Sequence, residues 1–112
     1  MPPRQVLSLK VSDDDTLGGY QRVHHRAPAF GGPDGLAYTA ATFVDDTPDA
    51  HGRYGAALLF LQWSAGADRP SGHLETDYLA FGHTPDEALA PVLGLSLAAV
   101  KVHLDRCVET AR

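Results

Sequence analysis

Cysteine is almost missing from this chain of 112 residues, which carries only Cys107. A single thiol excludes an internal disulfide and any zinc site built from several cysteines, and it suits a reducing compartment. Cations are also in deficit: nine Lys and Arg stand against fourteen Asp and Glu, a formal charge of −5. Phosphate binding needs basic side chains in excess on one face, so general affinity for nucleic acid or an anionic membrane is disfavoured, while a local basic patch is not. Long apolar runs are lacking as well. The stretches 56–61 and 88–100 are too short to span a bilayer, and the start MPPRQVLSLKV has no apolar core of a secretion signal. The expectation is a cytoplasmic protein with no membrane partner. Nucleophile signatures are absent too: there is no Gly-x-Ser-x-Gly elbow, and Gly31-Gly32-Pro33-Asp34-Gly35 lacks the lysine and hydroxyl of a phosphate loop. No catalytic residue is assigned, and an enzyme is a minority reading.

What is present is ordinary for one folded domain over 1–112: 44% hydrophobic and 21% charged residues, with no internal repeat or linker. Residues 5–12 alternate, with Leu7, Leu9 and Val11 on one face and Ser8, Lys10 and Ser12 on the other, the period of a half-buried strand. A loop follows at 13–19, and a second strand is expected over 20–27. The run 31–35 reads as a turn leading to a third strand at 36–44. Residues 54–64, YGAALLFLQWS, are apolar on both faces, as expected of a central strand covered on both sides. A fifth strand is expected over 73–81.

The tail, 84–112, holds the longest uncharged run, Ala88 to Val100. Thr84 as N-cap, Pro85 at the first helical position and Glu87 three residues after the cap open a helix. Pro91 and Gly94 then interrupt it, and Ser96 offers a fresh N-cap. Two outcomes fit: one kinked helix over 85–110, or a short helix ending near Leu93 followed by a second from Ser96 to about Glu109. The two-piece reading is favoured because the break signals and the new cap coincide. The expected fold is α+β: an antiparallel, meander-like sheet of about five strands, with a C-terminal helix or helical pair packed on one face. Trp63, Leu59, Leu61, Leu89, Leu93, Val100 and Leu104 are the expected core.

Residues 84–104, with Leu89-Ala90, Leu93-Gly94-Leu95-Ser96 and Val100-Lys101-Val102-His103-Leu104, resemble the helix-turn-helix of LuxR-type regulators and of the last DNA-binding region of sigma factors. That resemblance implies a second helix, from Ser96, lying in the major groove. Its outward positions would be Leu97, Ala98, Lys101, Val102 and Asp105, with one cation among them. Residues 54–108 are also similar to HicB-like antitoxins, through Gly82-His83-Thr84-Pro85-Asp86-Glu87-Ala88, which implies a small meander followed by a helix.

Three candidate sites follow from residue type. In a simple meander, loops 13–19 and 45–52 share one end of the sheet and gather Asp13, Asp14, Asp15, Asp45, Asp46 and Asp49 near His51, oxygen ligands suited to a hard divalent cation. His73, Glu75 and Asp77 share a strand face as alternative metal ligands or acid–base groups. Arg22, His24 and Arg26, beside Tyr20, form a basic and stacking face for nucleic acid, with Lys101 and Arg106 as cations of the helix-turn-helix. Beyond that divalent cation no cofactor is expected. The leading expectation is a non-catalytic interaction or regulatory module working through a protein partner or as a homodimer, ahead of a DNA-binding regulator or antitoxin-like protein, and then a metal-dependent protein.

Overall fold

The structure, a computed structural model, describes residues 13–111, so the strand expected over 5–12 lies outside the described residues. In chain order the elements are α1 (Leu17–His24), β1 (Ala29–Gly31), β2 (Ala37–Val44), β3 (Tyr54–Trp63), β4 (Gly72–Glu75), β5 (Ala80–Gly82), α2 (Pro85–Leu93) and α3 (Leu97–Ala111). The architecture is α+β. Strand order is β1-β2-β3-β4, with β5 also on β3, and every pairing is antiparallel. β3 is the central strand: β2 runs along one edge from Ala56 to Trp63, while β4 and β5 divide the other edge between them.

Alternation along β3 sorts the two faces. Ala56, Leu58 and Phe60 point to the helices and join Tyr38, Ala40, Leu17, Ala88, Val92, Val100, Leu104 and Val108 in one buried cluster. Fully burying a side chain such as Phe60 or Leu58 contributes about 1.5–3 kcal/mol. Leu59, Leu61 and Trp63 point the other way and are only half-buried, which corrects their expected place in the core. Leu89 and Leu93 are likewise half-buried, and Ala88 and Val92 take the buried positions in α2. A strand apolar on both faces leaves its buried side undetermined until the helices choose one.

The tail is two helices, with the break where Gly94 and Ser96 stand. Thr84 Oγ1 accepts from the Glu87 amide at 3.1 Å, and Ser96 Oγ accepts from the Ala99 amide at 3.0 Å, so each helix has its own cap. The second cap is also a tertiary junction. Thr16 and Ser96 form an isolated antiparallel bridge, in which the Leu17 amide donates to the Leu95 carbonyl and the Leu97 amide to the Asp15 carbonyl. α1 and α3 therefore start side by side.

Two expected elements differ. The strand over 20–27 is replaced by α1, whose N-cap Thr16 accepts from the Gly19 amide at 3.0 Å. A Cβ on Gly18 would lie 3.1 Å from the Leu93 Cβ, and one on Gly19 only 1.9 Å from the Asp13 carbonyl oxygen. These glycines permit close approach of backbone rather than a turn, and the docking of Leu17 rather than local pattern holds so short a helix. Upstream of the 31–36 turn, residues 29–31 form the short edge strand β1, where sequence suggested only a turn.

The strand expected over 73–81 is broken into β4 and β5. Glu75 faces Leu59 and Ala80 faces Ala56, five steps on one side against three on the other, so two residues are extra. Residues 76–79 form an arch that still satisfies β3. The Thr76 amide donates to the Leu58 carbonyl, the Leu58 amide to Thr76 Oγ1 at 3.0 Å, and the Leu79 amide to the Ala56 carbonyl. Such an insertion redirects the side chains it carries. Among the described residues no helix is long and apolar enough to cross a membrane.

Candidate functional site

The arch stands between two concavities. On the helix side, Leu74, Thr76, Asp77 and Leu79 face His103, Arg106, Cys107 and Thr110 of α3 across a cleft of about 390 Å³. The walls arise from two periodicities. On α3, Val100, Leu104 and Val108 recur at four-residue intervals and are buried, which turns His103 and Cys107, also four apart, toward the β4 edge. On the arch, the two extra residues take Asp77 out of the strand alternation.

Cys107 Sγ donates to the Glu75 carbonyl at 3.7 Å, joining α3 to the sheet edge. Burial pushes its thiol up, and Asp77 adds to the effect, so Cys107 is held protonated and is a weak nucleophile. Burial lowers His103, and the nearby Arg106 guanidinium lowers it further, so the imidazole is held neutral. The full charges in the cleft are the carboxylates of Glu75, at the end of β4, and Asp77, on the arch, and the guanidinium of Arg106 on the helix.

On the opposite face, Phe43, Ala57, Tyr78 and Phe81 with Glu75, Thr76 and Asp77 line a groove of about 450 Å³. The Tyr78 ring lies over Gly55, where a Cβ would come within 2.7 Å of it. Its hydroxyl donates to Asp45, which lowers the Asp45 carboxyl and raises the Tyr78 phenol. Phe81 meets Tyr78 edge-on at 5.7 Å, and the Arg53 guanidinium stacks 4.8 Å over Phe81 while pairing with Asp49.

The residues singled out by sequence are scattered. Asp13, Asp14 and Asp15 lead into α1, and Asp14 pairs with His24 at 2.9 Å. Asp45, Asp46 and Asp49 belong to the β2–β3 connection. Asp45 and Asp49 accept backbone amides there, and Arg53, beginning with its amide, lowers the Asp49 carboxyl. His73 and Glu75 do share a face, 3.5 Å apart, but Asp77 sits in the arch where that alternation has ended. Among the described residues no group of three or more His, Cys, Asp or Glu is arranged to hold a metal ion. Arg22 and His24 lie on the last turn of α1 and Arg26 beyond it, where Arg26 donates to the Tyr20 hydroxyl at 3.3 Å. Lys101 is engaged with Asp105 one turn on. Arg106 is the one residue of that basic set in the cleft.

Sequence reasoning missed His103, Cys107 and Thr110 as cleft residues, and also the Phe43, Tyr78 and Phe81 cluster. The spacing of His103 and Cys107 placed them on one helix face. Their partners depended on an arch that no residue pattern announces. Comparison with protein-family models, with curated proteins and with solved structures finds no match.

Proposed function

We propose that this chain is a non-catalytic interaction module that binds a protein partner, with a second copy of itself the first candidate, through the sheet face that no helix among the described residues covers. One observation carries the reading: on that face Phe43, Tyr78 and Phe81 are 39%, 44% and 47% exposed beside half-buried Leu59, Leu61 and Trp63. Exposed aromatics clustered on an apolar surface and rimmed by polar groups are the composition of protein interfaces, where Tyr, Trp and Phe are enriched. Here the rim carries His73, Glu75, Asp77 and Asp45. Burial of Cys107, which holds its thiol protonated, favours binding over attack by that thiol.

Sedimentation at micromolar concentration tests the reading. The parent is expected to self-associate, and the double variant Phe43→Ser, Phe81→Ser to stay monomeric while still folded. A parent that stays monomeric, and that captures no protein the double variant loses, overturns it.

A second reading, DNA binding through 84–106, is favoured by one feature, the separate caps at Thr84 and Ser96 on helices joined by three residues. The engagement of Lys101 by Asp105 and exposed Val102 argue against it. Retardation of duplex DNA at moderate salt, abolished by Lys101→Glu with Arg106→Glu, would establish it.

A further inference from the structure

We propose that the cleft between residues 74–79, the end of β4 with the arch, and α3 binds a small zwitterion of the α-amino acid type, with its ammonium group against Asp77, its carboxylate against Arg106 and an apolar side chain against Leu74 and Leu79. This site is independent of the uncovered sheet face and would stand if the docking reading failed.

Unmatched charges of both signs face the cleft. Asp77 and Arg106 line one cleft from opposite walls, yet no ion pair joins them, and neither pairs with another described side chain. A ligand with both charges satisfies both walls, whereas a simple anion or cation leaves one of them unmatched. Glu75, the other acid at the cleft, already pairs with His73 and gives its carbonyl to Cys107.

The lining between these charges is neutral. His103 and Cys107 are uncharged there, and with Thr110 they offer neutral donors and acceptors that do not compete for either end of a zwitterion. Leu74 and Leu79 supply apolar surface, so a ligand with a hydrocarbon side chain gains more than one without. At about 390 Å³ the cleft lies near the lower end of small-ligand sites, room for an amino acid. The arch gives the geometry its cause, because the two extra residues bring Asp77 opposite α3.

The test titrates the full chain, its backbone amides followed by NMR, with L-leucine, L-methionine and L-phenylalanine. N-acetyl-L-leucine lacks the ammonium and L-leucinamide lacks the carboxylate, and both serve as controls. At least one free amino acid is expected to shift the amides of Thr76, Asp77, Arg106 and Cys107 saturably, and the two leucine derivatives to bind weaker by about tenfold, since each loses one charge-assisted contact. Arg106→Gln should abolish the preference over leucinamide and keep the preference over N-acetyl-leucine; Asp77→Asn should do the reverse. Both positions are exposed, so the variants are expected to melt with the parent. No cleft shift with any of the three amino acids, equal binding of the derivatives, or the same loss from both substitutions would overturn the proposal.

Discussion

Gly82 stands where β5 turns into α2, and a Cβ there would lie 2.5 Å from the Glu87 Cβ and 2.6 Å from the Ala88 amide nitrogen. The obstruction includes backbone, which cannot rotate aside. Gly82→Ala is therefore expected to lower unfolding free energy by about 1–3 kcal/mol, while Gly31→Ala, which meets nothing within 4 Å, stays near the parent in urea melts. Tyr38 is the other residue with a marked constraint. It is 2% exposed, its hydroxyl donates to Asp34 at 2.6 Å, and burial first, then Asp34, pushes the phenol from 10.0 up to about 12. Because the folded value lies above the unfolded one, its contribution is complete below pH 10 and is lost as pH rises through about 12. Stability measured from pH 9 to 12 should fall in the parent and more gently in Tyr38→Phe. At this scale the sequence was readable where chemistry is local. Thr84 and Glu87 were legible as a cap, and the Glu87 carboxylate also accepts from the His83 amide at 3.0 Å. The role of Gly82 was not, because it depends on what α2 brings against it.

Among the elements, the arch and α3 depend on single hydroxyl groups. Thr76 Oγ1 accepts from the Leu58 amide and donates to the Asp77 carbonyl at 2.7 Å, replacing the ladder bond that the insertion removes. Thr76→Val keeps the shape and leaves the buried Leu58 amide without its acceptor. The expected cost is about 1–3 kcal/mol, with faster hydrogen exchange at Leu58 as the local readout. Ser96→Ala should cost about 1 kcal/mol by removing the α3 cap, and faster exchange at Ala99 would report it. Element boundaries with strong local signals were legible: 54–63 and 37–44 nearly match their expected spans, and the tail breaks at Gly94 to Ser96. α1 was not legible, since Gly18 and Gly19 read as turn residues until Leu93 and Asp13 are seen against them. The interruption of 73–81 was hidden for a related reason, as its residues keep a plausible alternation whether or not two of them leave the ladder.

For the molecule as a whole, the decisive asymmetry is which side of β3 the helices cover. Leu58 is fully buried, and Leu58→Ala is expected to cost about 2–5 kcal/mol. Leu59→Ala, on the uncovered face, should cost well under half of that in the monomer. If the face docks a second copy, the Leu59 penalty should grow with protein concentration along with the melting temperature of the parent, because association stabilises by mass action. Equal costs at the two positions in dilute solution would contradict the assignment of faces. The two concavities beside the arch follow from the same asymmetry, one roofed by α3 and the other open.

The sequence by itself determined the class of this protein: an antiparallel sheet with a C-terminal helical tail carrying break signals at Pro91 and Gly94, an excess of acids and a solitary thiol. Those properties follow from composition, period and capping, which act over a few residues. Only tertiary structure decided the rest. It selected Leu58 and Phe60 over Leu59 and Leu61 for the core, turned 17–24 into a helix, and set Asp77 opposite Arg106. Each of these depends on contact between segments far apart in the chain, and a strand with two apolar faces or an arch with ordinary residues is decided by the surface that packs against it.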